Sequence, residues 1–140
     1  MQSQDYFSKI LDKQLRGNGQ LMQKPATFSM SWTAVLDKKF YKLSFYNQQD
    51  GSSLKFKAIG FYKVLENNKV EGSWFDNRGI TFPLHGYFDE TSLTIFWGTA
   101  DTEEGKTIYK LKEDGSLETL DFLKTQKGFV AFANAVYKGM

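Results

Sequence analysis

Apolar and polar residues alternate along most of this chain with a period of two, which is the spacing of a β-strand with one buried face. Lys55, Lys57 and Lys63 share one side of a strand, so Phe56, Ala58, Gly60 and Tyr62 take the other. Lys106, Lys110 and Lys112 likewise set Thr107, Tyr109 and Leu111 inward. Lys138 does the same for Phe129, Ala131, Ala133, Ala135 and Tyr137. Further inward rows are Phe28, Met30, Trp32 and Ala34; Tyr41, Leu43 and Phe45; Val70, Gly72 and Trp74; and Leu93, Ile95 and Trp97. Turn-forming clusters separate these runs: LDKK (36–39), NQQDGSS (47–53), ENNK (66–69), DNRG (76–79), DETS (89–92), ADTEEG (100–105), EDGS (113–116) and TQKG (125–128). They recur about every ten residues, and nearly every connection is short enough for a hairpin.

The pattern predicts an all-β protein, an antiparallel up-and-down meander of about nine or ten strands. A meander of that length must curl, and full closure removes its exposed edges, so a barrel is expected. Only the start departs from period two. Tyr6, Phe7, Ile10, Leu11 and Leu15 follow helical spacing, with Ser3 or Asp5 as cap and Gly17 as stop. The expected organisation is one domain over 1–140, with a helix in 1–16 closing one end of a barrel built from 17–140.

Composition narrows the chemistry. A chain of 140 residues can bury a full core without a covalent staple. It has no cysteine, which excludes disulfides, thiolate metal sites and cysteine nucleophiles. One histidine excludes a multi-histidine metal centre within the chain, and no metal site or cofactor is expected. The net charge of +2, with lysines and acids interleaved, does not by itself imply a polyanionic partner. MQSQDYFSKILDKQL has no apolar signal core, and no segment approaches the ~18 apolar residues of a membrane span. A soluble, cytoplasmic protein is the expectation, either monomer or homodimer.

Aromatic residues are abundant, at 16% of the chain. Many fall on the inward rows, and several carry polar tips that need partners when buried. Small residues (Ala58, Gly60, Ala131, Ala133 and Ala135) share that wall. Two readings follow: a barrel filled by its own side chains, or an apolar cavity with a few convergent polar groups, the usual form of a small-molecule site. On the second reading the ligand-binding candidates are Trp32, Phe56, Tyr62, Trp74, Trp97, Tyr109, Ala133 and Tyr137.

Length, meander, N-terminal helix and aromatic interior together resemble the calycin barrels, the group of lipocalins and fatty-acid-binding proteins. GSWFDNRG (72–79) is similar to a G-x-W-x-D-x-x-G stretch in bacterial barrels of lipocalin-like type. The resemblance implies a ligand-binding barrel for a small hydrophobic or amphipathic molecule. Three features depart from it. The first-strand G-x-W of lipocalins reads Gly17-Asn18-Gly19, and the R-x-Y clamp of fatty-acid-binding proteins reads Ala135-Val136-Tyr137. The C-terminal histidine that holds iron in the haem barrels called nitrobindins is absent.

Four local features carry candidate chemistry. Arg78, in the turn Asp76-Asn77-Arg78-Gly79, either anchors a ligand carboxylate at the barrel mouth or pairs with a nearby acid. Asp121 falls inward with Leu117, Thr119 and Leu123, and a buried carboxylate is either hydrogen-bonded across strands or functional. His85 faces outward if its strand alternates without interruption. Pro83 marks a strand edge or a bulge, and a bulge would turn His85 inward. Inward, His85 with Asp121 or a tyrosine would support acid–base catalysis, which is the enzyme alternative. Finally KFKAIGFYK (55–63) interleaves Lys55, Lys57 and Lys63 with Phe61, as on single-stranded nucleic-acid platforms, a third and weaker reading. ADTEEGKT (100–107) fits a permissive phosphate-loop pattern. Its acids would repel phosphate and KTIYKLK alternates as a strand, so it reads as a hairpin loop.

Overall fold

A computed structural model describes residues 5–139. Ten antiparallel strands form a closed barrel in sequence order: β1 (Gln14–Leu21), β2 (Lys24–Val35), β3 (Phe40–Gln49), β4 (Phe56–Val64), β5 (Lys69–Asp76), β6 (Thr81–Phe88), β7 (Ser92–Trp97), β8 (Gly105–Leu111), β9 (Leu117–Thr125) and β10 (Gly128–Gly139). Every strand pairs with its sequence neighbours, and β1 closes on β10, from Leu15 opposite Gly139 to Leu21 opposite Ala133. Closure leaves no edge for another chain to extend.

The one α-helix among the described residues, α1 (Tyr6–Ile10), is much shorter than the expected segment. Asp5 caps it by accepting from the Ser8 N–H at 3.0 Å, while Ser3, the other candidate cap, lies outside the described residues. The helix does not run to Gly17. Asp12 adopts a left-handed φ of 61°, and Gly17 belongs to β1. Leu15 has two consistent readings, as the last helical apolar position or the first inward position of a strand, and pairing with both β2 and β10 decides for the strand. Gly17 and Gly19 suit that strand, because a Cβ at either would overlap the backbone of β10.

Helix α1 plugs one end of the barrel. The Tyr6 N–H donates to the Asp89 carbonyl at 3.1 Å and the Lys9 ammonium to the Glu90 carbonyl at 2.9 Å. Phe7 stacks on Tyr41 with centroids 4.4 Å apart and meets Trp32 and Phe88 edge-on. Tyr6, Phe7 and Ile10 are fully enclosed among Trp32, Leu93, Tyr109, Leu117 and Tyr137. The helix-proximal half of the barrel is therefore a packed aromatic core.

Inward rows match the alternation on nearly every strand, with one correction on β10. The register slips between Ala131 and Ala133. This β-bulge adds a residue to one strand and reverses the facing on its far side. Phe129 and Ala131 consequently point outward, Phe129 with 40% of its surface exposed, and Phe132 turns into the barrel. The inward alanine row is reduced to Ala133 and Ala135.

Candidate functional site

The end of the barrel opposite α1 is hollow. Its strand ends enclose a cavity of about 340 Å³, within the size range of small-molecule sites. Met30 (β2), Phe45 (β3), Phe56 and Tyr62 (β4), Trp74 (β5), Phe82 and Leu84 (β6), Ile95 and Trp97 (β7) form one part of the wall. Thr107 and Tyr109 (β8), Thr119, Asp121 and Leu123 (β9), and Phe132 and Ala133 (β10) continue it, with Leu21 at the end of β1, Met22 from the β1–β2 turn, Asn47 and Gln49 at the end of β3, and Arg78 and Glu103 from other turns of this end. The rings pack on one another: Phe82 on Trp97 at 5.6 Å, Phe45 on Trp74 at 6.2 Å and Phe132 edge-on to Trp97 at 6.5 Å. Gly105 makes room for the Trp97 indole, since a Cβ there would overlap the ring.

A polar chain crosses this apolar wall. The Trp97 indole N–H donates to Thr107 Oγ1 at 3.3 Å, and Thr107 Oγ1 donates to Asp121 Oδ1 at 2.5 Å. Residues at cross-strand positions make this contact natural, because Thr107 stands directly opposite Asp121 between β8 and β9. Among the described residues no basic side chain pairs with Asp121, and Thr107 is its one side-chain hydrogen-bond partner. Burial penalises its charge more than the Thr107 bond supports it, and its pKa is pushed up to about 6. The carboxyl thus changes charge close to neutrality.

Tyrosine hydroxyls approach the same region from the packed half. Burial raises the pKa of Tyr6, Tyr62, Tyr109 and Tyr137, so all four stay protonated. The Tyr62 hydroxyl approaches that of Tyr109, and the Tyr137 hydroxyl that of Thr119, without well-formed hydrogen bonds. Tyr6 Oη and Trp32 Nε1 are also buried without a partner. Buried polar groups left unpaired are costly, so this cluster is an unusual feature of the core.

At the mouth, Arg78 is committed. It grips Asp76 through Nη2–Oδ2 at 2.8 Å and Nε–Oδ1 at 3.1 Å, and reaches Glu103 at 3.4 Å. Gly79 takes φ 82°, which sets the tight turn that folds the arginine back. The Asp76 side chain has no exposed surface and also accepts from the Trp74 indole N–H at 3.1 Å. Burial by itself would raise the Asp76 pKa, but the Arg78 and Trp74 hydrogen bonds outweigh it and hold the carboxyl below its usual range. The guanidinium lies 5.5 Å from the Phe56 ring centroid.

The remaining candidates lie elsewhere. Trp32 and Tyr137 belong to the packed half and do not reach the cavity wall. His85 faces outward opposite Glu71 and stacks on Phe96 at 5.4 Å. No bulge forms at Pro83. Its carbonyl accepts from the Gly98 N–H at 3.2 Å, just where β7 ends, so the missing proline N–H falls at the limit of the β6–β7 ladder. His85 and Asp121 therefore do not meet. Lys57, Phe61 and Lys63 point outward on β4, with Lys55 just before it above Tyr46. ADTEEGKT is the β7–β8 connection running into β8. Alternation missed Phe132, because nothing in FVAFANA announces the bulge. It also missed Glu103 and Met22, which reach the mouth from turns.

Among the described residues no group of acidic or histidine side chains is arranged to hold a metal ion, and no helix is long and apolar enough to cross a membrane. Compared with known proteins, the sequence matches no protein-family model and no curated protein.

Proposed function

We propose that this barrel binds a small apolar or amphipathic molecule in its open half, in the manner of the calycins that its topology and length resemble. The observation that carries this reading is the contrast between the two halves. The same meander fills one end with tyrosine, tryptophan and the α1 plug, and leaves a wall of aromatic rings around open space at the other. An apolar wall with a few placed polar groups is the usual form of a small-molecule site. The enzyme reading loses its His85–Asp121 pair because His85 lies on the outer surface, and the tyrosines that face Asp121 are held protonated by burial.

Ala133 tests the proposal. It is buried, lines the cavity and stands opposite Leu21 and Asp121. The substitution Ala133→Trp fills the hollow. The neutral probe N-phenyl-1-naphthylamine is expected to brighten with the wild-type protein and to stay dark with the variant, while far-UV circular dichroism remains that of the barrel. Undiminished probe uptake by folded A133W refutes the placement of the site.

A further inference from the structure

We propose that the occupant is a small amphipathic cation, an alkylammonium-type molecule whose charged head is held by Asp121 inside a cage of aromatic rings. This deepens the binding reading above and rests on it. The inference begins with charge. Among the described residues Asp121 is the one carboxyl set into the cavity wall behind the mouth, and no basic group accompanies it. Its Oδ1 accepts from Thr107, and no described residue donates to Oδ2. The cation that a carboxylate ligand would need is taken: Arg78 is bound by Asp76 on two atoms and by Glu103 on a third. An incoming anion would meet Glu103 at the mouth and Asp121 within.

The rings around Asp121 point the same way. Trp97 is linked to it through Thr107, and Phe82 and Phe132 pack on Trp97. Ring faces attract ammonium groups, most strongly where water is excluded. The groups that face Asp121 from neighbouring elements are neutral: Thr107 and Tyr109 on β8, Tyr62 on β4, and Tyr137 on β10, with Tyr6 of α1 behind them. Tyr62, whose hydroxyl is buried without a well-formed partner, lines the same space. An ammonium head supplies what the site lacks, a positive charge beside a carboxylate that burial otherwise disfavours.

Three probes of equal chain length test this: octylammonium, 1-octanol and octanoate, followed by intrinsic tryptophan fluorescence and calorimetry. At about pH 7.5, octylammonium is expected to bind at least about tenfold more tightly than octanol, with octanoate weakest. Its affinity should fall about tenfold by about pH 5 as Asp121 takes up its proton, and binding near pH 6 should release protons to the buffer. Asp121→Asn should abolish the ammonium preference and keep octanol binding. Octanol binding with no preference for the ammonium, or a preference that survives in D121N, overturns the cation proposal and leaves the binding function standing. Failure of all three probes together with N-phenyl-1-naphthylamine overturns both. Proton release in the wild-type protein is an independent readout if D121N folds poorly. Its absence during tight octylammonium binding also refutes the role of Asp121.

Discussion

Asp121→Asn should make the protein more stable, and by an amount that grows with pH. The unfolded carboxyl titrates near 3.8 and the folded one near 6, a rise caused by burial and only partly offset by Thr107. Between these values the folded state binds more protons than the unfolded state, so wild-type stability falls as pH rises through the window. Two pKa units correspond to about 3 kcal/mol, reached above pH ~6.5 and absent below pH ~3.5. Asparagine keeps the Oδ1 acceptor for Thr107 and removes the charge. Urea denaturation of both proteins at about pH 4.5 and about pH 7.5 should show the variant's advantage increasing by roughly 2 kcal/mol between them. Comparing the two pH values cancels whatever the new amide gains or loses by itself. An advantage that does not change with pH refutes the argument, because it means that the folded protein keeps Asp121 near its ordinary pKa. The same ionisation cost would be relieved by a bound cation, so octylammonium should stabilise the wild-type protein at neutral pH more than D121N.

Tyr137→Phe removes a buried hydroxyl that has no well-formed partner, so stability should be unchanged or rise by up to ~1 kcal/mol, and a loss of that size in thermal or chemical unfolding would show that the hydroxyl is bonded. Gly105→Ala places a methyl group against both the Trp97 ring and the Phe122 backbone carbonyl, and the expected result is a shifted tryptophan emission with weakened N-phenyl-1-naphthylamine uptake; normal uptake would mean that ring and strand give way without disturbing the cavity. His85→Gln alters an outward residue, so a stability change within ~0.5 kcal/mol and unaltered probe binding are expected, and loss of binding would restore His85 as a functional residue.

Period-two alternation was enough to read the barrel. Lysine rows at 55, 57 and 63 and at 106, 110 and 112 assigned faces correctly, because a strand with one wet side cannot slip by a residue without exposing its whole apolar row. The inward placement of Asp121, Trp74 and Trp97 followed from the same rule. Local pattern failed where two structures satisfy it equally. Leu15 fits the apolar stripe of a helix and the inner row of β1, and only the pairing of β1 with β2 and with distant β10 decides. The bulge at Ala131–Ala133 is likewise invisible along the chain, and with it the inward turn of Phe132. Pro83 was ambiguous in sequence and harmless in the fold, since its missing donor coincides with the end of β7. Which half of the barrel would be filled depended on where α1 docks. Tyr6, Phe7 and Ile10 occupy one end and leave the other to Trp74, Trp97, Phe132 and Asp121. Alternation along a strand tells which side faces in; how far the inside is filled is set by side chains that arrive from distant parts of the chain.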